Sequence, residues 1–281
     1  MTDLPRPPSQ AYRVLNVQGV RAGLRFEGQD CLATEVPVAL EFNGVSHAVM
    51  MATPADLEDF AYGFALTEGI VDSAAQIHDC EAVRSELGYT LQLRVAESCF
   101  ARLKEKRRNL TGRTGCGLCG TESLSQAVRQ PAALTATHCF DASAVSTAVA
   151  SLRTHQFLLA VTGATHAAAW CSAQGQIELI REDVGRHNAL DKLIGALMRE
   201  RRATDCGFVC VTSRASYEMV QKSACMGISL LAAVSGATAL AVDVAHQAGL
   251  TLVGFARGDD LCVYSHPERF NLDHKRCTTT T

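Results

Sequence analysis

The stretch Phe208-Val-Cys-Val-Thr-Ser-Arg-Ala-Ser-Tyr-Glu-Met-Val-Gln-Lys-Ser-Ala-Cys-Met-Gly-Ile-Ser-Leu-Leu-Ala-Ala233 decides the fold class. A short apolar run reads as a buried strand, a helix follows over 216–226, and Ser229–Ala233 is a second buried strand. Strand, helix, strand at this spacing is the unit of a parallel sheet. Downstream, a helix over Ala237–Ala248 leads to strands Thr251–Phe255 and Leu261–Tyr264, which flank the turn Ala256-Arg-Gly-Asp-Asp260. Upstream, the pattern predicts a helix over about 141–153, a strand Phe157–Val161, a hairpin around Gln174-Gly175 and a strand Ile177–Arg181. A helix over about 187–200 carries Ala189, Leu190, Leu193, Ile194 and Leu197 on one face. Strands alternating with helices predict a three-layer α/β sandwich over residues 140–270.

A smaller α+β domain is expected over 30–101. Thr34–Phe42 and Val45–Met51 flank Asn43-Gly44, a strong hairpin signal. Thr53 reads as an N-cap with Pro54 at the first helical position, and the helix runs to Glu68 before Gly69. Residues 80–96 read as two strands turning near Glu86-Leu-Gly88. Residues 1–29 are expected as a disordered leader and first strand, and 271–281 as a disordered tail.

The chain has 281 residues, 47% hydrophobic, with a formal charge of -3. That is enough apolar material for a sizeable core, and the balance argues against a DNA- or RNA-binding protein. No apolar run approaches the roughly 20 residues of a membrane span. There are twelve cysteines. Without an export signal they argue for a reducing, cytoplasmic setting rather than a disulfide framework. Cys171, Cys206, Cys210 and Cys262 stand in apolar stretches and read as core residues.

Only Cys116 and Cys119 lie in a glycine-rich, polar context, Gly115-Cys-Gly-Leu-Cys-Gly120. Upstream, residues 102–113 hold Arg102, Lys104, Lys106, Arg107, Arg108 and Arg113, interrupted by Glu105. This run is either a solvated face or an attraction for an anionic partner. Residues 102–139 are expected to be a basic, mobile loop and connector. The motif alone leaves four readings: half a zinc site, a thioredoxin-like pair, a carrier of sulfur or a metal cluster, or no chemistry. A structural zinc site needs four ligands, and no second pair is evident. A redox pair is expected after a strand and at the start of a helix. A carried nucleophile suits the loop better. Glycines expose the sulfurs, and the arginines favour thiolate, the reactive form. The second thiol can relay or release sulfur by exchange.

These motifs resemble the FdhD family, the sulfur carriers required for formate dehydrogenase activity. The resemblance covers nearly all of residues 30–270. It rests on Thr53-Pro-Ala-Asp with Gly63-Phe and Thr67-Glu-Gly69, Arg113–Gly120, Arg181-Glu-Asp-Val-Gly-Arg-His-Asn-Ala-Leu-Asp-Lys192 and Thr212–Lys222. Gly254-Phe-Ala-Arg-Gly258 with His266-Pro-Glu-Arg269 completes the set. The resemblance implies a sulfurtransferase. A cysteine desulfurase would give persulfide sulfur to Cys116. The chain would pass it to the molybdenum (or tungsten) bis-molybdopterin guanine dinucleotide cofactor before that enters formate dehydrogenase. It also implies that Phe255, Ala256, Arg257, Gly258, Asp259 and Asp260 bind the cofactor, that the fold is cytidine-deaminase-like, and that the chain is a homodimer. The alternative is a cofactor-binding chaperone without sulfur transfer.

That fold raises zinc-dependent deamination as a further reading. His187-Asn-Ala189 lacks the glutamate such sites need, and Thr212–Ser216 lacks the cysteines. One departure from the family stands out: Ser235-Gly-Ala-Thr238 replaces a frequent Ser-Ala-Pro-Thr, which implies a looser loop.

Asp183, Arg186, His187, Asn188 and Asp191 crowd a strand-to-helix junction. They read either as a capping network or as part of an anion site at a helix N-terminus. Arg214 and Ser216 open the next helix in the same way. Ligands of α/β sheets gather at the carboxyl ends of strands. His187, Arg214 and Arg257 are therefore expected to form one pocket for the guanine nucleotide ends of the cofactor. His47, His78, His155 and His246 read as surface or core residues.

Overall fold

The structure is a computed structural model and describes residues 10–110, 131–135 and 138–272, with the side chains of 106–110 excepted. In chain order the elements are β1 (Tyr12–Arg21), β2 (Leu24–Ala33), β3 (Val36–Phe42), β4 (Val45–Ala52), α1 (Leu57–Thr67), β5 (Ile77–Arg84), β6 (Tyr89–Val95) and α2 (Glu97–Leu110). Then come β7 (Phe140–Asp141), α3 (Ala142–His155), α4 (Phe157–Thr162), β8 (His166–Ser172), β9 (Ile177–Asp183), α5 (Arg186–Arg199), β10 (Gly207–Val211) and α6 (Tyr217–Cys225). The last are β11 (Leu230–Ala233), α7 (Ala239–Ala248), β12 (Thr251–Arg257), β13 (Asp260–Ser265) and β14 (Phe270–Asn271). The chain divides into two compact units. One comprises Met1–Arg129, Thr154–Ala167 and Arg181–Arg202; the other comprises Gln130–Arg153, Ala168–Ile180 and Ala203–Thr281.

In the first unit, β1 and β2 pair antiparallel over their whole length. Residues 12–29, expected as leader and first strand, are thus most of a ribbon that turns at Ala22-Gly23, both at positive φ. Such turns match the twist of the strands they join. A four-stranded sheet has the order β4-β3-β6-β5. Asn43 and Gly44 make the expected turn, again with positive φ at both. Val38, Leu40, Phe42, Leu91 and Leu93 alternate onto one buried face. Arg102 and Lys104 lie on helix α2, not in a loop. The rest of the expected mobile segment lies largely outside the described residues.

Two local expectations fail for tertiary reasons. Helix α1 begins at Leu57, after Asp56 at φ 52, and Thr53 does not cap it. Thr53 is fully buried and uses its polar groups elsewhere, as described below. The segment from Phe157 is helix α4, not a strand. The Glu182 carboxylate accepts the backbone N–H groups of Leu158 and Leu159, both at 2.8 Å, which satisfies the first turn. Gly163 in the left-handed conformation ends it.

In the second unit the sheet order is β13-β12-β11-β10-β8-β9. β10, β11 and β12 are parallel neighbours, and β8 and β13 run antiparallel to them. Helices α6 and α7 are successive crossovers between parallel strands. The right-handed rule puts both on the same face. On the other face α3 packs Ala144, Val145, Ala148 and Leu152 with Cys171, Phe208, Cys210, Leu230, Ala232 and Val253. This makes three layers, α/β/α. Cys171 and Cys210 are buried as expected. Burial pushes the Cys210 thiol up to about 12 and raises Cys171 as well. Cys206 and Cys262 are exposed, contrary to expectation: Cys206 precedes β10, and Cys262 is on the outer strand β13.

Candidate functional site

Two loops and the last residues of β12 lie side by side at the carboxyl ends of the parallel strands. β10 ends in Ser213-Arg-Ala-Ser216, β11 in Val234-Ser-Gly-Ala-Thr238, and β12 in Phe255-Ala-Arg257. They are tied by main-chain bonds. Ala215 N–H donates to Gly236 O at 3.2 Å, Thr238 N–H to Ala215 O at 3.1 Å, and Phe255 N–H to Ser235 O at 3.1 Å. Arg214 and Phe255–Asp260 stand out in the sequence; the loop Ser235–Thr238 between them is visible there only as a departure from the family pattern. Its signal was glycine in a short loop after a buried strand.

The charged groups of this edge face outward. Arg214, Arg257, Asp259 and Asp260 are exposed. Arg257 Nε donates to Val234 O at 2.9 Å. That bond orients the guanidinium while engaging one of its five N–H groups. Ser216 is the N-cap of α6, yet its side chain makes no cap bond. Its Oγ is shielded from solvent and has no hydrogen-bond partner among the described residues. Ala256 is 1% exposed in the core, and Gly258 turns the chain at φ 58. Phe255 is half-exposed at positive φ. Aromatic, cationic and unpaired hydroxyl groups are thus assembled where α/β sheets hold their ligands.

The crowded junction before α5 is different. Asp183 and Lys192 form an ion pair at 2.6 Å, both side chains fully buried. Asp183 also accepts Thr53 N–H at 3.0 Å, Gly185 N–H at 2.8 Å and Asn188 Nδ2 at 3.1 Å. Lys192 Nζ donates to Thr53 O at 2.9 Å, and Val184 N–H to Thr53 Oγ1 at 3.2 Å. Asn188 Nδ2 reaches Met51 O at 2.8 Å, and Thr67 Oγ1 donates to Asp191 Oδ1 at 2.8 Å. Arg181 holds the buried Asp59 through Nε at 2.9 Å and Nη2 at 2.8 Å. Asp183, Asn188 and Asp191 are therefore engaged inside the protein.

His187 sits half-buried in the first turn of α5, beside Arg186. The nearby His166 imidazole is held below its usual value, first by burial and then by the charges of Arg186 and His187. His187 belongs to the first unit; Arg214 and Phe255–Asp260 belong to the second. Cys116 and Cys119 lie outside the described residues. Among the described residues, no group of three or more His, Cys, Asp or Glu side chains is arranged to hold a metal, and no helix is long and apolar enough to cross a membrane.

The model of the FdhD/NarQ family matches residues 33–271. The chain belongs to that family. Among its FdhD/NarQ relatives, a protein of Variovorax paradoxus (strain S110) is 54% identical over 271 residues, covering 96% of this chain and 97% of its own. One of Cupriavidus necator is 55% identical over 269 residues, covering 96% and 92%. Both carry the name Sulfur carrier protein FdhD. The fold is similar to that of a crystal structure from Desulfotalea psychrophila described as a formate dehydrogenase accessory protein. It aligns with a TM-score of 0.71 at 24% identity, over 92% of this chain and 99% of that one.

Proposed function

We propose that this chain is a sulfurtransferase serving formate dehydrogenase, with Cys116 as the persulfide carrier. The observation that carries the reading is its close likeness, over nearly its whole length, to proteins named as sulfur carriers. In the first step the Cys116 thiolate attacks the outer sulfur of a cysteine desulfurase persulfide. The donor S–S bond breaks, the donor leaves as a thiolate, and Cys116 holds the sulfur as a persulfide. In the second step Cys119 attacks the inner sulfur of Cys116. Hydrosulfide departs with the Cys119 proton, and a Cys116–Cys119 disulfide remains for an external dithiol to reduce. The arginines of residues 107–113 favour the thiolate that starts the cycle.

The sulfur is destined for the molybdenum, or tungsten, bis-molybdopterin guanine dinucleotide, held as a client before it enters formate dehydrogenase. The carboxyl edge of the second sheet suits its nucleotide ends. Arg214, Arg257 and the orphaned Ser216 Oγ match phosphates. Phe255 offers a face to a base, and the Asp259 and Asp260 carboxylates offer acceptors for guanine N–H groups. A homodimer in a cytoplasmic setting completes the reading, and all nine described cysteines are free thiols.

Intact-mass measurement after incubation with a cysteine desulfurase and cysteine tests the carrier step. One sulfur atom should be retained by Cys119→Ala, which cannot take the second step, and none should be gained by Cys116→Ala. No gain on Cys119→Ala would leave a chaperone that binds the cofactor without transferring sulfur.

A further inference from the structure

Phe255 and Ala256 together oppose the single residue Leu261 where β12 and β13 change register between Gly254 and Arg257. The first residue of this bulge, Phe255, has φ 52. Bulges with a left-handed first residue take glycine there, because only glycine adopts that conformation without strain. A phenylalanine persists only where its surroundings hold it. They do so on both sides. Phe255 N–H is bonded to Ser235 O, Ala256 is anchored in the core, and Arg257 is clamped to Val234 O. The side chain gains little burial in return, since the residue remains 50% exposed. A fold serving stability alone would carry glycine.

The position of the ring is set by Gly236. A Cβ added there would lie 2.9 Å from Phe255 Cζ and 3.4 Å from each Cε. The far end of the ring therefore occupies the space a side chain at 236 would need. Gly236 itself is not at positive φ, so alanine at this position acts through the ring and not through backbone strain. We propose that Gly236 is a positioning residue that seats Phe255 as a fixed aromatic platform, on which a flat heteroaromatic base stacks at the carboxyl edge of the sheet. The proposal rests on the nucleotide-binding reading above and adds to it the ring's seat and its contact with the base.

The test is calorimetry with GDP and with inorganic pyrophosphate, on the full chain and on Gly236→Ala, Phe255→Gly and the double variant, with Tm recorded for each. GDP affinity should fall about tenfold to a hundredfold in Phe255→Gly, the range expected for losing one stacked base. Gly236→Ala should weaken GDP severalfold and have no further effect once Phe255 is glycine. Pyrophosphate affinity should stay the same in all four. The Tm of Phe255→Gly should hold or rise, because glycine relieves the left-handed strain. Unchanged GDP affinity in either single variant, additive losses in the double, weakened pyrophosphate binding, or a Tm that falls with Phe255→Gly would each overturn the platform. If the wild type binds no GDP, the nucleotide reading falls first and the platform with it.

Discussion

The polar blocks around Asp183 and Arg257 look alike as sequence: both are dense in charge and stand where a strand gives way to a turn. In the structure they differ in what their polar groups face. Asp183 and Lys192 are fully buried against each other. Asp183 also accepts from Thr53, Gly185 and Asn188, and Lys192 also donates to Thr53 O. Arg214, Arg257, Asp259 and Asp260 point outward around a half-exposed phenylalanine. The first block holds a fold together; the second leaves donors and an aromatic face for something else. Density of charged residues does not separate the two cases. Burial and mutual pairing of the charges, as in Asp183 and Lys192, do.

The largest effect should come from breaking the buried pair. Lys192→Met leaves the Asp183 carboxylate without its cation in a site closed to water. Removing one partner of such a pair costs about 3–5 kcal/mol. Urea unfolding should show that loss, and a change below about 1 kcal/mol would mean the pair is not the anchor described here. The helices it helps to join cross at two glycines. A Cβ on Gly63 would collide with the Asp191 carbonyl, and one on Gly195 with the Asp59 carbonyl. Gly63→Ala must push α1 and α5 apart, at a cost of about 1–3 kcal/mol, the range for overpacked contacts. Unfolding midpoints read this directly, and an unchanged midpoint would show that the crossing yields freely.

The opposite behaviour is expected at the exposed edge. Arg257→Ala removes a charged donor of the proposed nucleotide site, and losing such a hydrogen bond costs about 1.5–3 kcal/mol of binding. GDP affinity measured by calorimetry should drop about tenfold or more. Stability should change by about 1 kcal/mol or less, since the one structural bond lost is that to Val234 O. A variant that unfolds early but binds GDP normally would reverse the assignment of the two regions.

These differences explain what the sequence made legible. Buried strands such as Phe208–Val211 and the turn Asn43-Gly44 announce themselves through local chemistry, and the structure has them where the patterns predict. The place of Arg214 and Arg257 at the carboxyl edge of the sheet was readable, because each follows a strand in the alternating pattern. The partnership of Thr53 with Asp183 and Lys192 was not. It joins residues more than 120 positions apart, and a single sequence holds no record of such pairs. Thr53 therefore reads as a helix cap, and Asp183 as either part of a capping network or part of an anion site. The strand expected at Phe157 failed similarly. Its apolar run fits either element, and the deciding group, Glu182, lies beyond the next turn. The seat of Phe255 was invisible because a positive φ at phenylalanine runs against local propensity.

The smallest expected effect concerns a third polar pair, at the surface. His266 Nδ1 lies 3.0 Å from Glu268 Oε1, and its Nε2 lies 3.3 Å from the carbonyl of His246 in the last turn of α7. Both partners are acceptors, and both contacts lie at the surface. The Glu268 carboxyl is held below its ordinary value, chiefly by its own backbone N–H and then by His266. A carboxyl with a depressed folded-state pKa stabilises the fold above its unfolded pKa, and the contribution is lost as pH falls through the folded value. Thermal midpoints of the wild type should therefore decline slightly faster than those of Glu268→Gln between about pH 5 and pH 3, with the two curves converging at the acid end. The gap should be small and should shrink with added salt, as expected for an exposed pair, whereas the loss in Lys192→Met should barely respond to salt. Equal salt sensitivity in the two variants would mean that the Asp183–Lys192 pair is reached by solvent after all.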